Sequence, residues 1–276
     1  MTSTSQISPE IPVYRIGSVP YLNVQPMLWA IHKGLVGQGR ASIHGEVPRQ
    51  LAALLAAGQF DTAIVPVFEY LRHPDLYHYI PAGAIACNGP VASVMLYSAQ
   101  PMEELKTIYL DSSSLTSVHL FRVIAAERGL HFDYLDTNQH PVPRPLSPGA
   151  GWVVIGDPAI AETGRHPNTL DLGEAWKELT GLPFVFAAWL TPRAPAPAGL
   201  GDLLAESLDY GLKHLPQIAE DVAEQFGVMP EYALQYFSNS IQYHLGNDEL
   251  AGWAHFALLC HRHGLIKSLP PLRPAF

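Results

Sequence analysis

The sequence predicts an α/β protein made of two successive α/β units and a helical tail. Three observations carry this. The first hundred residues run strand, helix, strand, helix, strand. The same pattern restarts at about residue 100. Beyond the Pro/Ala stretch "TPRAPAPAG" (191–199), every apolar segment has helical spacing. At 276 residues, 48% hydrophobic and 15% charged, the chain can bury a substantial core and is too apolar for disorder.

The elements follow in order. "VYRIGS" (13–18) is a first strand, and "PMLWAIHKGL" is a helix that stops near Gly34. "ASIHGEV" alternates as a strand. "PRQLAALLAAGQF" opens a helix with Pro48, whose fixed φ suits a first turn, and ends at Gly58. "AIVPV" is a β-branched strand, and "AIACNGPVASVMLYSA" adds one or two more. In the second unit "TIYL" is a strand, a hydroxyl-rich turn opens a helix, and "HFDYLD" is a strand. A proline-rich loop (140–149) leads to the buried strand of "GWVVIGDPAI". "DLGEAWKELTG" is a helix and "PFVFAAWL" a strand. Helices are expected at about 200–214, 216–227, 230–238 and 247–263.

This organisation predicts two lobes with a ligand cleft between them. One lobe comprises residues 13–98 plus 196–276, the helical tail packing back on it. The other comprises 102–190. The chain then crosses between lobes twice, near 99 and near 190, and segments 97–101 and 189–198 are the expected hinges.

Several function classes are excluded. Cys87 and Cys260 are the only cysteines, too few for a disulfide framework or a cysteine metal site, and fit two buried thiols. A net charge of −9 with 16 Lys+Arg shows no basic patch for nucleic acid. No apolar run reaches the length of a membrane span. "MTSTSQISPEIPVYRIGS" has neither a basic n-region nor an apolar h-region, so no secretory signal is expected and the cytoplasm is the expected location. Thirteen histidines include no HExxH, and "HRH" (261–263) falls on a helix where alternate residues diverge, so no metal site is expected. Walker, GxGxxG and GxSxG signatures are absent.

The most informative segment is "LDSSSLTS". Ser112, Ser113, Ser114, Thr116 and Ser117 crowd a strand-to-helix turn. One hydroxyl or carboxylate suffices to cap a helix, and Asp111 or one of Ser112–Ser114 is the expected N-cap. The surplus hydroxyls are either surface serines or, with the helix N–H groups and dipole, a neutral anion receptor. "GSVPYLNVQP" also follows a strand end. Its Ser18, Tyr21 and Asn23 line a ligand, or the segment is an ordinary βα turn with an Asn cap. Ser93 interrupts an apolar strand and needs a partner, from backbone or ligand. Asp157, after "VVIG", caps the next helix or faces a ligand. Asp61 and Glu69 flank a buried strand as solvated carboxylates or an acid–base pair.

Four segments, "IGSVPYLNVQPM", "LDSSSLTSVHLFRVI", "VVIGDPAI" and "DLGEAWKELTGLPFVFAAW", resemble in order and spacing the menaquinone-biosynthesis family of the futalosine route. Within it the chain is more similar to the chorismate dehydratases than to the sister 1,4-dihydroxy-6-naphthoate synthases, which begin "SPCPND"-like where this chain has "SVPYLN". The resemblance covers about residues 14–190. It implies a two-lobed periplasmic-binding-protein-like fold of the two-crossover type, retained in the cytoplasm as an enzyme. It also implies dehydration of chorismate to 3-[(1-carboxyvinyl)oxy]benzoate with no metal or organic cofactor. On that footing Ser114, Thr116 and Ser117 would hold a substrate carboxylate, with Ser18, Tyr21 and Asp157 in the binding site. Asn23 and Ser93 would be catalytic, facing the enolpyruvyl group and the leaving hydroxyl. Any help from Arg15, Arg40, Arg49 or Arg144 stays open. A non-catalytic binding protein for a small carboxylate would use the same pocket. A regulator's sensing domain would need a basic DNA-binding helix that the N-terminus lacks.

Overall fold

The computed structural model describes residues 13–192 and 194–276. The stretch inspected for a leader therefore lies largely outside the described residues, as does the side chain of Arg49. None of the described helices is long and apolar enough to cross a membrane.

Strands β1 (Tyr14–Ser18), β2 (Ala41–Gly45), β3 (Thr62–Pro66) and β4 (His78–Cys87) build the first lobe. Between them lie α1 (Gln25–His32), α2 (Pro48–Ala56) and α3 (Val67–Arg72). The second lobe holds β5 (Val94–Ser98), β6 (Thr107–Leu110), α4 (Thr116–Glu127), β7 (Asp133–Asp136), β8 (Ala150–Ile155), α5 (Asp157–Ala161), β9 (Asn168–Asp171) and α6 (Leu172–Thr180). The chain returns through β10 (Phe184–Thr191) to the tail helices α7 (Leu200–Lys213), α8 (Leu215–Phe226), α9 (Pro230–Gln235) and α10 (Asn247–Arg262).

Each lobe carries a five-stranded mixed sheet. The orders are β2-β1-β3-β10-β4 and β7-β6-β8-β5-β9. In the first, β1 lies parallel to β2 and β3, while β10 is antiparallel to β3 and β4. In the second, β6 is parallel to β7 and β8, while β5 is antiparallel to β8 and β9. The two sheets thus repeat one topology.

The two-crossover layout is present, but the crossings lie elsewhere than expected. β5 joins the second sheet and β10 the first, so the chain crosses at 88–93 and 181–183 rather than near 99 and 190. Apolar runs mark strands, but they do not say which sheet will take them. Both misplaced strands pair antiparallel with partners distant in sequence, so neighbour order misleads.

Asp171, the last residue of β9, fastens both crossings. Its carboxylate accepts N–H bonds from Val91 (2.9 Å) and Ala92 (2.7 Å) on the outgoing crossing. It also accepts from Gly173 (2.9 Å) and Glu174 (3.1 Å), capping α6 ahead of the return.

The tail docks on the first lobe as expected. Residues Gln242 and Tyr243 pair with β4 at Ala84 and Ala86, and Arg273 and Ala275 pair with it at Tyr79, so the edge strand is covered. Ser207 of α7 donates to the Met27 carbonyl of α1 at 2.7 Å. Gly211 lets these helices touch: a Cβ there would lie 1.8 Å from the Pro26 carbonyl oxygen.

The proline-rich loop is accounted for by what it covers. Leu146 buries against Tyr97 and Trp152 on the second sheet. The Arg144 guanidinium lies 4.8 Å from the Trp152 ring centroid and bonds Glu162 at 2.8 Å. Buried apolar residues from both lobes otherwise form one contiguous core.

Replacing Gly211 with Ala forces α7 off α1 and is expected to cost about 2–3 kcal/mol, read as a lower urea midpoint. An unchanged midpoint would show that the helices do not touch there.

Candidate functional site

The cleft between the lobes encloses a cavity of about 600 Å³, mouth included. Its walls are largely apolar. Ile64, Ile85 and Phe186 face it from the first lobe, and Val94, Leu115 and Ile155 from the second. Six of the eight residues expected at the site line it: Tyr21, Asn23, Ser93, Ser114, Thr116 and Ser117. Among the described residues, none of the lining side chains is charged. An outer cavity adjoins it at Pro48, Ser114 and Leu115 and carries Arg72 and Arg122.

The hydroxyl-rich turn divides its labour. Asp111 does not cap α4, nor do Ser112–Ser114. Leu115 occupies the N-cap position, and no side chain caps the helix. The Asp111 carboxylate is spent within the turn, accepting from Ser113 N–H (2.9 Å), Ser113 Oγ–H (2.6 Å) and Ile155 N–H (3.4 Å). Ser112 N–H donates to Thr137 Oγ1, whose hydroxyl returns a bond to Ser112 Oγ. Two serines therefore hold the turn, while Ser114, Thr116 and Ser117 face the cavity at an uncapped helix N-terminus. A twelve-residue helix presents N–H groups and a positive dipole end there.

Contacts across the cleft set the distance between its walls. Phe68 N–H at the start of α3 donates to Thr116 Oγ1 at 3.1 Å. The His119 ring stacks on Phe68 with centroids 3.5 Å apart. Burial pushes His119 down to about 4, and its Nδ1 sits 2.7 Å from the Leu115 carbonyl, so the ring is neutral and Nδ1 is the donor. Burial raises the Tyr21 phenol above its ordinary value. Tyr21 also lies against Gly156, whose φ of 67° suits glycine and where a Cβ would meet the ring at 3.3 Å.

Asn23 sits in a single 3₁₀ turn (Leu22–Val24) ahead of α1. Its Oδ1 is buried with no partner. Ser93 lies on the outgoing crossing, not within the first-lobe wall. Its carbonyl accepts from Gly156 N–H at 2.7 Å, and its Oγ accepts from the Tyr236 hydroxyl at 2.7 Å. Tyr236 is fully buried and opens a π-helical turn (Tyr236–Ser240) after α9. No local feature of the sequence marks this tyrosine, because helical spacing makes it look like ordinary core.

Two expected site residues do not line the cavity. Ser18 is buried and donates its hydroxyl to the Val19 carbonyl, because the strand end turns its side chain away from the cleft. Asp157 does not cap α5 either, since Gly156 holds the N-cap position. Its carboxylate reaches the other lobe and accepts from Leu22 N–H at 3.2 Å. Asp61 is held by Arg15, and Glu69 takes a long bond from Tyr77, so the two do not form an acid–base pair. Arg40 lies over Tyr14, and Arg144 bonds Glu162, both away from the cavity. Both thiols are buried. Among the described residues, no group of three His, Cys, Asp or Glu is placed to hold a metal ion.

The sequence family described as menaquinone biosynthesis matches residues 14–262. A chorismate dehydratase of Thermus thermophilus is 32% identical over 262 residues, covering 88% of this chain and 94% of that protein. Among solved structures, an Archaeoglobus fulgidus protein superposes with a TM-score of 0.74 at 15% identity, covering 92% of this chain and 98% of that one. The alkanesulfonate-binding protein SsuA of Xanthomonas axonopodis pv. citri, bound to MOPS, gives 0.72 at 18%, covering 97% and 99%. These structural likenesses show a periplasmic-binding-protein-like fold.

Burial pushes the Asp157 carboxyl up to about 6, against the bond from Leu22 N–H, which favours the ionised form. The folded state therefore holds this proton more tightly than the unfolded chain. The group's stabilisation is complete below about pH 4 and is lost as pH rises through about 6. Asp157→Asn keeps an acceptor for Leu22 and should flatten this part of the Tm–pH curve. An unaltered curve would place the carboxyl in solvent.

Proposed function

The chain belongs to the menaquinone biosynthesis family, and we propose that it is a chorismate dehydratase, a hydro-lyase of the futalosine route that works in the cytoplasm. Its substrate is a small dianion and its product 3-[(1-carboxyvinyl)oxy]benzoate. The observation that carries this reading is the uncapped N-terminus of α4, opening with Thr116 and Ser117 into a cavity with apolar walls. It stands beside a full-length relative named for this activity.

The chemistry suits such a site. The ring C3–H of chorismate is activated by conjugation to the ring carboxylate, and C4 carries the hydroxyl that leaves. The proton departs from C3, the C–O bond at C4 breaks, and the ring becomes aromatic. With that driving force the protein must chiefly position the substrate and stabilise charge, which needs no metal or organic cofactor. Ser114, Thr116, Ser117 and the first N–H groups of α4 hold one carboxylate. Asn23 and Ser93 face the enolpyruvyl group and the leaving hydroxyl. The base is the substrate's own enolpyruvyl carboxylate, oriented by Asn23. The absence of a charged side chain among the described lining residues supports that choice.

The test is to incubate chelator-treated protein with chorismate and separate the products by chromatography and mass. Loss of one water to an aromatic enolpyruvyl ether is expected. Ligand retained unchanged would make the protein a non-catalytic binder. Asn23→Ala should lower kcat by about 100-fold or more, while Asp157→Asn and Glu69→Gln stay active. A folded but dead carboxylate variant would instead identify a protein base.

A further inference from the structure

We infer that Tyr236 is a positioning residue that fixes the orientation of the Ser93 hydroxyl in the cavity. The inference rests on the dehydratase reading and adds a residue that does not itself line the site. Two observations meet at its hydroxyl.

First, the Tyr236 hydroxyl donates to Ser93 Oγ at 2.7 Å. Second, Tyr236 is buried, which keeps this bond out of bulk solvent.

A phenol has one proton to give. Here it goes to Ser93 Oγ. Ser93 Oγ then already accepts, and its own hydrogen makes no bond among the described residues. That hydrogen is left to donate into the cavity, the polarity a departing hydroxyl requires. Ser93 has little freedom to turn away, because its carbonyl is held by Gly156 N–H at 2.7 Å. The π-helical turn starting at Tyr236 places the phenol between a first-lobe loop and an interlobe crossing. The helical tail therefore contributes to the chemistry as well as to packing.

The decisive variant is Tyr236→Phe, which removes one oxygen and keeps the ring. Wild type, Tyr236→Phe and Ser93→Ala are compared for kcat and KM with chorismate, for product affinity and for Tm. The inference expects Tyr236→Phe to lose kcat by about 10- to 100-fold. KM and product affinity should stay within about threefold and Tm nearly unchanged. Because Tyr236 acts through Ser93, Ser93→Ala should lose at least as much kcat as Tyr236→Phe. Retained kcat in Tyr236→Phe, with an active wild type, overturns the inference and leaves the dehydratase reading intact. A joint fall in Tm, kcat and product affinity overturns it in favour of a purely structural tyrosine. A wild type that does not turn chorismate over removes the dehydratase reading and this inference together.

Discussion

A helix N-terminus leaves backbone N–H groups that must find acceptors, and proteins usually supply one from a capping side chain. Helix α4 does not. Its N-cap is Leu115, and the nearest carboxylate, Asp111, is committed to Ser113 and Ile155. The unsatisfied end points into a cleft walled by Ile64, Phe186 and Ile155, where an anion would find donors in a poorly hydrated setting. Charge-assisted bonds are strongest in such surroundings. Most of the site follows from this. Ser112 and Ser113 are tied down so that the turn keeps its shape, and Ser114, Thr116 and Ser117 face the cavity.

The rest of the molecule holds the opposite wall at the right distance. Asp171 binds the outgoing crossing and α6 with four backbone bonds. The Phe68–His119 stack and the Phe68–Thr116 bond join the lobes at the cavity. Asp157 reaches Leu22, the residue next to Asn23. These contacts link the 3₁₀ turn carrying Asn23 to the lobe carrying the serine turn. A fold shared with binding proteins thus positions neutral polar groups around a small ligand, and an elimination that ends in an aromatic ring needs mainly that arrangement.

Much of this was legible in the sequence. Strand and helix signals placed most elements within a few residues, because the apolar periods are clear and Gly34, Pro48 and Gly58 punctuate them. Six residues that line the cavity were legible as hydroxyls and amides near strand ends. What failed was long-range. Sheet membership of β5 and β10 depends on pairing with distant strands, which local pattern does not encode. Ser18 and Asp157 do not line the cavity, because a polar residue in a strand-end loop can turn either way and side-chain direction there is a tertiary outcome. Tyr236 could not be found at all, since its partner Ser93 lies 143 residues away.

The central claim is that the N–H groups opening α4 hold a carboxylate of the ligand. The most direct measurement is backbone amide NMR of labelled protein during titration with 3-[(1-carboxyvinyl)oxy]benzoate. The account predicts that the amide protons of Thr116, Ser117 and Val118 move strongly downfield, as charge-assisted bonds form, and saturate together with the rest of the cavity. Saturable binding that leaves those three resonances in place would contradict it and put the anion elsewhere.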